Sequence, residues 1–542
     1  MKKRIIAGIL GISLFSSFSV FANEIPITSY EKEQGITNIE TFDYQNGMRF
    51  GKIKSSKDFD KLYLKSDEYN NWNWANVQDA FYYIDNNKNL HTVFSEHTNN
   101  NIVDLTFDKN NNIINKKIIK TSLPIFAGFY RDKYGMMYLV SGEDNLKEDS
   151  EKTVVVIEKF NSNWNFEKKV EIKGKYTNLF KGISKPFDAG SCRISMYDKY
   201  LIIHTSREMF KNPNDGLNHQ SNISFIIDTD TMTSITSDGL GLKTPYVSHS
   251  FNQFVVVDQA GKSYYLDHGD AYPRGIVITK FSGWTELSHL ERFSNTEFDK
   301  ELVILPISGR IGDNYTGCEI NGFEIFNDKL VTIGKSINQE SYDNKNIKNV
   351  FLNFTDTNLE QTNTIWITDF SNYKVDNVKL IKINDEKFVV LANVFEDINY
   401  KKQKILLFRE YDINGNLLNA LNYKNVSLLT NSQPIFDGKN IYYLGKTDYY
   451  SKIYLHKIPY IKDKAHKIKF SNKKLNLKKG KKYKIKINIE PSLSKKNIAY
   501  YSSNNKIAKI KNGIIYANRV GKVTITAKYG DKIDKCVVEI KK

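Results

Sequence analysis

The stretch HTSREMFKNPNDGLNHQSN, residues 204–222, puts two His, an Arg, a Glu, an Asp and a Gln into nineteen positions. Similar polar stretches surround it: PFDAGSCRI (186–194), YVSHSFNQF (246–254), LDHGDAYPRG (266–275) and GRIGDNYTG (309–317). Five of the nine histidines fall between residues 204 and 289. The candidate ligand-binding residues are Arg193, His204, Arg207, Asp215, His219, Gln220, His249, Asp267, His268, Asp270, Arg274, Asp313 and Asn314. Arg forks with Asp, Asn and Gln bind sugar hydroxyls and carboxylates. His beside Asp or Arg can instead serve as general base and anion stabiliser, which singles out His219, His249 and Arg274 if the site is catalytic. The third reading is architectural, with Arg–Asp pairs and buried His tying irregular loops together. A binding surface is the first reading and an enzyme the second. No metal or other cofactor is expected: H-x-x-x-H, H-E-x-x-H, C-x-x-C and G-x-S-x-G are all absent.

Two D-x-N-x-N stretches, FDKNNN (107–112) and YDINGN (411–416), resemble the start of a calcium loop. The twelfth position, where such a loop needs Glu, holds Ile119 and Tyr423, so both read as hairpin turns. IDTDT at 227–231 reads the same way.

These residues need a scaffold, and residues 40–460 supply a weak repeat. An Asp- or Asn-bearing turn, often with Lys, precedes four to six apolar or aromatic residues. RDKYGMMYLVSG, YDKYLIIHTS, FNQFVVVD, NDKLVTIGKS, NDEKFVVLAN and FDGKNIYYLGK are copies, and DAFYYID is a fainter first one. The runs open at Phe81, Tyr134, Tyr200, Phe254, Leu330, Phe388 and Asn440. Each is followed by a second strand such as TVVVIEKF, NISFIIDT or KIYLHKI. Units of three or four strands fit an all-β fold, a β-propeller of about seven blades over residues 23–460. β-sandwiches in series are the alternative. WTELSHLERF (284–293) is the one helical pattern and reads as an insertion. In a propeller, loops of adjacent blades converge at one end, and Gly190, Gly216, Gly269, Gly275, Gly312 and Gly317 mark turns beside the polar residues. HTSRE and HQSNISFIID then flank one inter-strand loop with NPNDG as its turn.

DGLNHQSN (215–222) is also similar to the Asp…His…Asn stretch of bacterial arylsulfotransferases, propellers that use a catalytic His and an Arg. That resemblance covers a few residues. It implies His219 as a nucleophile and Arg274 as its anion partner.

The chain of 542 residues opens with MKKRIIAGILGISLFSSFSVFANE. Three cationic residues, an apolar run and small residues before a polar stretch predict a signal peptide, residues 1–22, cut after Ala22. A membrane anchor is the alternative, although the run is short of the roughly 18–20 apolar residues of a span. The mature protein is then secreted, with no later transmembrane segment. Three cysteines, Cys192, Cys318 and Cys536, are too few for a disulfide framework. Cys192 and Cys318 either pair or stay free and buried.

Charge divides the chain. Residues 461–542 carry 24 Lys+Arg and 5 Asp+Glu, a net of +19, while the remainder carries 54 and 56, a net of −2. Export argues against nucleic acid, so the partner such charge fits is an anionic cell-wall polymer or membrane surface; a solvated Lys-rich β surface is the alternative. Within this segment Tyr483, Ile485, Ile487 and Ile489 alternate with polar residues, as do Val523, Ile525 and Ala527. Asn512-Gly513 reads as a hairpin turn. Short strands in this number suggest a β-sandwich.

LNLKKGKKYKIKINIEP and YYSSNNKIAKIKNGIIYANRVGKVTITAKY resemble the bacterial Ig-like domain, group 2, over residues 466–542. The resemblance implies a stalk or adhesion module of a surface or secreted protein, without catalysis. The leading expectation is therefore a secreted or wall-associated binding protein recognising an extracellular glycan or protein. The runner-up is an extracellular propeller enzyme acting on a polysaccharide or a sulfated aromatic.

Overall fold

The computed structural model describes residues 37–41, 78, 80–96, 101–109, 113–175, 182–190, 192–235, 246–271, 273–282, 299–312, 314, 316–337, 347–370, 373–396, 404–424, 428–446, 453–460, 467–490, 498–529 and 532–542. The signal-peptide segment and the helical pattern at 284–293 lie outside them. All regular structure among the described residues is β-strand.

Up to residue 460 the strands form seven antiparallel sheets in chain order. The first contains Phe81–Ile84, Leu90–Glu96, Asn101–Phe107 and Ile113–Lys120. The second runs from Ile125–Arg131 to Phe166–Lys173. The third is built on Arg193–Tyr197, Tyr200–Lys211 and Asn218–Asp228, with two short flanking strands. The fourth contains Ser250–Val257, Ser263–Gly269, Gly275–Phe281 and Lys300–Pro306. The fifth spans Glu319–Phe326 to Thr362–Trp366, and the sixth Tyr373–Asn384 to Leu417–Lys424. The seventh is built from Asn440–Lys446 and Ile453–Pro459, and Thr37–Thr41 pairs on its outside.

The Asp of the weak repeat has a local cause. Asp132, Asp258 and Asp437 each sit in the turn before an apolar strand. Oδ1 of Asp132 accepts from Tyr134 N and Met136 N, that of Asp258 from Ala260 N and Lys262 N, and that of Asp437 from Lys439 N and Asn440 N. The side chain thus takes up amides that the turn's own backbone hydrogen bonds leave over. The second oxygen takes a hydroxyl from the strand that follows: Tyr138 at 3.3 Å, Tyr264 at 3.3 Å and Tyr442 at 3.1 Å. Asp412 caps the YDINGN turn by accepting from Asn414 N and Asn416 N, as the hairpin reading requires.

The repeat marks one strand per sheet, not always the equivalent one. Phe81 and Phe254 lie in first strands, Tyr200, Leu330, Phe388 and Asn440 in the next strand inward from the turn, and Tyr134 is exposed in the turn itself. The unequal spacing of the repeat follows partly from this.

Apolar contacts run from sheet to sheet. Phe81, Phe126, Phe129 and Trp164 join the first to the second, and Cys192, Leu201 and Ile203 share a core with Ala127 and Val140 of the second. Ile202 and Ile226 of the third pack with Val255 and Tyr265 of the fourth. The chain continues through the fifth and sixth to the seventh. Tyr442, Leu444 and Leu455 of the seventh then share a core with Leu90 and Val103 of the first. Leu444 N also donates to the Tyr82 hydroxyl at 2.9 Å, which lies 2.8 Å from Ser432 Oγ. Strands buried on both faces explain why MMYLV, FVVV and IYYL lack alternation.

Residues 467–542 form three smaller sheets around one core that includes Ile487, Ile515, Ile525 and Val538. Asn512 (φ 49°) and Gly513 (φ 71°) make the tight turn between Ala508–Lys511 and Ile514–Ala517. The alternating run 483–489 divides: Lys482–Lys484 pairs with Ile514–Ala517, whereas Ile487–Glu490 pairs with Lys467–Phe470. The alternation persists through the break because Ile487 and Ile489 are buried while Lys484, Lys486 and Asn488 are exposed.

All three cysteines are free and buried, so Cys192 and Cys318 do not pair. They belong to different cores. Burial pushes the Cys318 thiol up to about 12, and the Cys192 thiol is raised by the same cause.

Candidate functional site

The polar stretches meet where the third sheet adjoins the fourth and the fourth adjoins the fifth. Tyr200–Lys211 and Asn218–Asp228 are joined by a turn at 212–217, so His219 and Gln220 stand at the start of a strand. His249 precedes the first strand of the fourth sheet, and Asp270 and Arg274 bracket its next turn. His249 N donates to Gln220 O at 2.9 Å, and Asp270 N donates to His249 O at 2.9 Å. The backbone therefore zips the two loops together.

Five candidates form a line. His219 Nε2 is 2.7 Å from Asp215 Oδ2. The His219 and His249 rings lie 6.2 Å apart, centroid to centroid, and 23° from parallel. His249 Nδ1 is 3.9 Å from Asp270 Oδ2. Asp270 Oδ1 accepts from Arg274 Nη1, and its Oδ2 accepts from Gly312 N at 2.7 Å. Both imidazoles are about one-third exposed, whereas the Asp270 carboxylate is buried. The arrangement thus presents two imidazole edges, each backed by a carboxylate, beside a guanidinium fixed by Asp270 and Ser308 O. Such edges can donate to or accept from a polar ligand.

Other candidates sit elsewhere. His204 and Asp267 have no exposure. His204 Nε2 is 3.1 Å from Asp267 Oδ2, and its Nδ1 is 2.8 Å from Ser224 Oγ. Asp267 Oδ1 also accepts from Asn222 at 3.1 Å and Ser250 at 2.6 Å. That network fastens the third sheet to the fourth and faces no ligand. His268 is buried too, and burial takes its pKa down to about 4, which keeps it neutral and inward. Asn314 Oδ1 accepts from Cys318 N and braces a turn. Arg207 is buried in its strand. The Arg193 guanidinium lies 4.4 Å from the Phe254 ring centroid and donates to Gln78, 115 residues away. Burial lowers its pKa to about 10. Asp313 lies outside the described residues. No group of three or more His, Cys, Asp or Glu among the described residues is placed to hold a metal ion.

Gln220 connects the line to a residue that the sequence did not single out. Its Nε2 donates to Asp188 O at 3.2 Å and to Ser250 O. The Asp188 carboxyl is buried and its Oδ1 has no hydrogen-bond partner among the described residues. Burial, reinforced by the charge of Glu208, raises its pKa to about 6. The flanking Phe187 (φ 64°) and Ala189 (φ 67°) are left-handed, as are His249 (φ 49°) and Asn252 (φ 49°) of the adjoining sheet. Residues of these types pay on the order of 1–3 kcal/mol each for such a conformation, and strain of this kind collects at functional sites. A Cβ on Gly190 would meet Gln253 Oε1 at 2.1 Å, so a side chain there would require Gln253 to move. Phe and Ala carry no sequence mark of a left-handed backbone, which is why Asp188 escaped notice.

Asp188 has a testable signature. Its raised pKa means that the fold favours the neutral acid. The associated stability is complete below the ordinary carboxyl range and lost as pH rises through about 6. Asp188→Asn, permanently neutral, should gain about 3 kcal/mol over the parent above pH 7 and nothing near pH 4. Urea melts at both pH values check this, and an equal effect at both would exclude the assignment.

A buried ion cluster in the fifth sheet also lacked a sequence signal. Glu319 lies 3.2 Å from Lys335 Nζ and 2.7 Å from Lys348 Nζ. Its three members, Glu319 included, come from two strands and a loop, at no regular spacing.

Among the described residues, the chain up to residue 460 is therefore an all-β assembly of consecutive sheets, with polar side chains gathered where neighbouring sheets adjoin. Residues 464–539 match the model of the bacterial Ig-like domain (group 2). Domains of this kind occur in surface and extracellular bacterial proteins. No curated protein matches the chain. Among solved structures, it is similar to a prolyl endopeptidase at 9% identity and TM-score 0.35, covering 88% of this chain and 56% of that one. A protein of unknown function from Dyadobacter fermentans aligns at 8% identity and TM-score 0.35, covering 68% and 97%. The GH93 α-L-arabinofuranosidase of Fusarium graminearum aligns at 10% identity and TM-score 0.31, covering 52% and 81%. Scores this low transfer no activity. The chain spans little more than half the length of the prolyl endopeptidase. Among the described residues no helix is long and apolar enough to cross a membrane.

Proposed function

We propose that residues 37–460 form a seven-bladed β-propeller whose loops between the third and fifth sheets bind an extracellular glycan or protein, displayed by the Ig-like unit of a secreted or wall-associated protein. The supporting observation is the Asp215–His219–His249–Asp270–Arg274 line, where, among the described residues, several sequence candidates converge with side chains partly open to solvent. Carboxylate-backed imidazoles and a positioned guanidinium match hydroxyl and carboxylate groups of a sugar. The test is a glycan array probed with the full chain, followed by variants of the line. Arg274→Ala and His249→Ala should each weaken the selected ligand about tenfold, the loss of one charge-assisted hydrogen bond. Unchanged affinity in both would remove the reading.

The same geometry gives an enzymatic reading its footing. His219 has one nitrogen hydrogen-bonded to the Asp215 carboxylate, and His249 has one 3.9 Å from the Asp270 carboxylate; the other nitrogen of each has no partner among the described residues. One could take a proton while the other gives one, with Arg274 holding an anionic substrate group. His219→Ala would then abolish turnover while leaving affinity nearly intact. A binding protein shows the opposite split: affinity falls and no glycan or sulfated aromatic is turned over.

A further inference from the structure

The three-stranded sheet of the C-terminal unit has an unusual outer face. Lys482 lies opposite Tyr516, which lies opposite Lys509. In the next row outward, Lys484 lies opposite Ile514, which lies opposite Lys511. Directly opposed residues of antiparallel strands share a face. Two parallel rows of Lys–apolar–Lys therefore stand side by side. The reverse face carries Tyr483, Ile515 and Ile510, which pack into the core. All four lysines are exposed, and Tyr516 and Ile514 are half-buried between them. Lys482 Nζ sits 5.4 Å from the Tyr516 ring centroid.

No acidic residue occurs in 464–489 or 491–530, the runs that supply all three strands and their turns. The face is thus not a set of ion pairs. Among the described residues of this unit, the ion pair formed is Lys473 with Asp534, on another sheet. The outer face of that larger sheet is mixed, since Glu539 lies opposite both Lys522 and Asn476. Strand geometry puts the rows about 6.7 Å apart and the outer strands about 9.6 Å apart. Four like charges held this close repel one another, so a partner that neutralises several at once is favoured.

We infer that this face binds a linear anionic polysaccharide, acid groups on the four lysines and sugar rings against Tyr516 and Ile514. Three features select that chemistry. The cations are lysines, point charges that suit scattered carboxylates or sulfates; the single arginine of the unit, Arg519, is elsewhere. The centre of each row is apolar, which serves the C–H faces of sugar rings and is wasted on a bare polyphosphate. The apolar side chains are half-buried and recessed among lysines, so they do not project as a membrane-inserting wedge would. This inference is independent of the Asp215–Arg274 line: it concerns attachment through the C-terminal unit and survives if that line binds nothing.

The probe is polygalacturonate, with the full chain throughout. Binding should weaken steeply with added salt. Replacing Lys482, Lys484, Lys509 and Lys511 together by Gln should weaken it at least about tenfold, whereas replacing Lys474, Lys478, Lys535 and Lys541, an equal loss of charge elsewhere, should cost about threefold or less. The same four face positions changed to Arg should retain binding, which separates charge from folding. Tyr516→Ser should add a loss that salt does not mimic. Equal losses in the two Gln variants would overturn the assignment of the face. Tighter binding of duplex DNA or of phosphatidylglycerol vesicles than of polygalacturonate would overturn the assignment of the partner.

Discussion

Asp267→Ala is expected to cost about 3–5 kcal/mol of stability, the cost of removing the acceptor at the centre of a fully buried hydrogen-bond network. The carboxylate has no exposure and gathers His204, Asn222 and Ser250 from two sheets. Its loss leaves an imidazole, an amide and a hydroxyl enclosed with nothing to accept from them. Asn222 would be doubly affected, because its own Oδ1 accepts from Val247 N at 2.9 Å and fixes the segment that leads to His249. Urea unfolding followed by tryptophan fluorescence isolates the effect, since the last of the five tryptophans is Trp366 and the C-terminal unit contains none. Asp267→Asn, which keeps the shape and one acceptor, should cost less. In a double-mutant cycle, His204→Ala should lose most of its effect once Asp267 is Ala. A change below about 1 kcal/mol for Asp267→Ala would show that the pair does not fasten the sheets.

This network also explains why residue type alone mixes two roles. His204 and Asp267 have the same chemistry as His249 and Asp270. The first pair is sealed between sheets, whereas His249 of the second reaches solvent over a buried Asp270. The difference is about position along the strand: His204 and Asp267 lie within strands that other sheets cover, whereas His249 and Asp270 lie at or beyond strand ends. A strand boundary could be read only approximately from HTSREMFK, because the strand continues through polar residues to Lys211. HTSRE and HQSN are strand and NPNDG lies in the turn at 212–217, as the sequence reads; what the sequence did not mark is that the strand runs on through Met209 to Lys211. Asp188 shows the converse failure, a buried carboxyl on a strained segment of ordinary residues.

The scaffold was more legible than the site. One apolar run per sheet and an Asp turn before it come from short-range chemistry, backbone donors captured by a carboxylate, and such chemistry repeats wherever the turn repeats. Sheet membership of each run was less legible, since Phe254 and Leu330 look alike while occupying different strands. In the C-terminal unit the alternation at 483–489 gave the buried face correctly and concealed that the run changes sheets midway. Period-two patterning reports which face is covered, not which strand lies beside it.

A chain beginning at residue 42 should be less stable than one beginning at residue 36 by roughly 2–6 kcal/mol, the net worth of about four backbone hydrogen bonds. Thr37–Thr41 pairs along Ile453–Pro459, with Thr37 opposite Lys457 and Thr41 opposite Tyr454. It is the outer strand of a sheet whose other members come from the end of the repeat region. A propeller closes its ring in this way, and the Tyr82 contacts with Leu444 and Ser432 put the first sheet against the last. Without the outer strand, Ile453–Pro459 becomes an open edge able to pair with another molecule. The shortened chain should therefore self-associate, and a peptide of residues 36–42 supplied in trans should restore both the melting midpoint and the monomer. Hydrogen exchange gives the decisive reading for closure. In a ring, truncation should loosen the Leu444 amide, which bonds the first sheet, together with those of Ile453–Pro459. β-sandwiches in series would confine the change to the edge strand. A monomeric truncated chain of unaltered midpoint would refute the closed propeller.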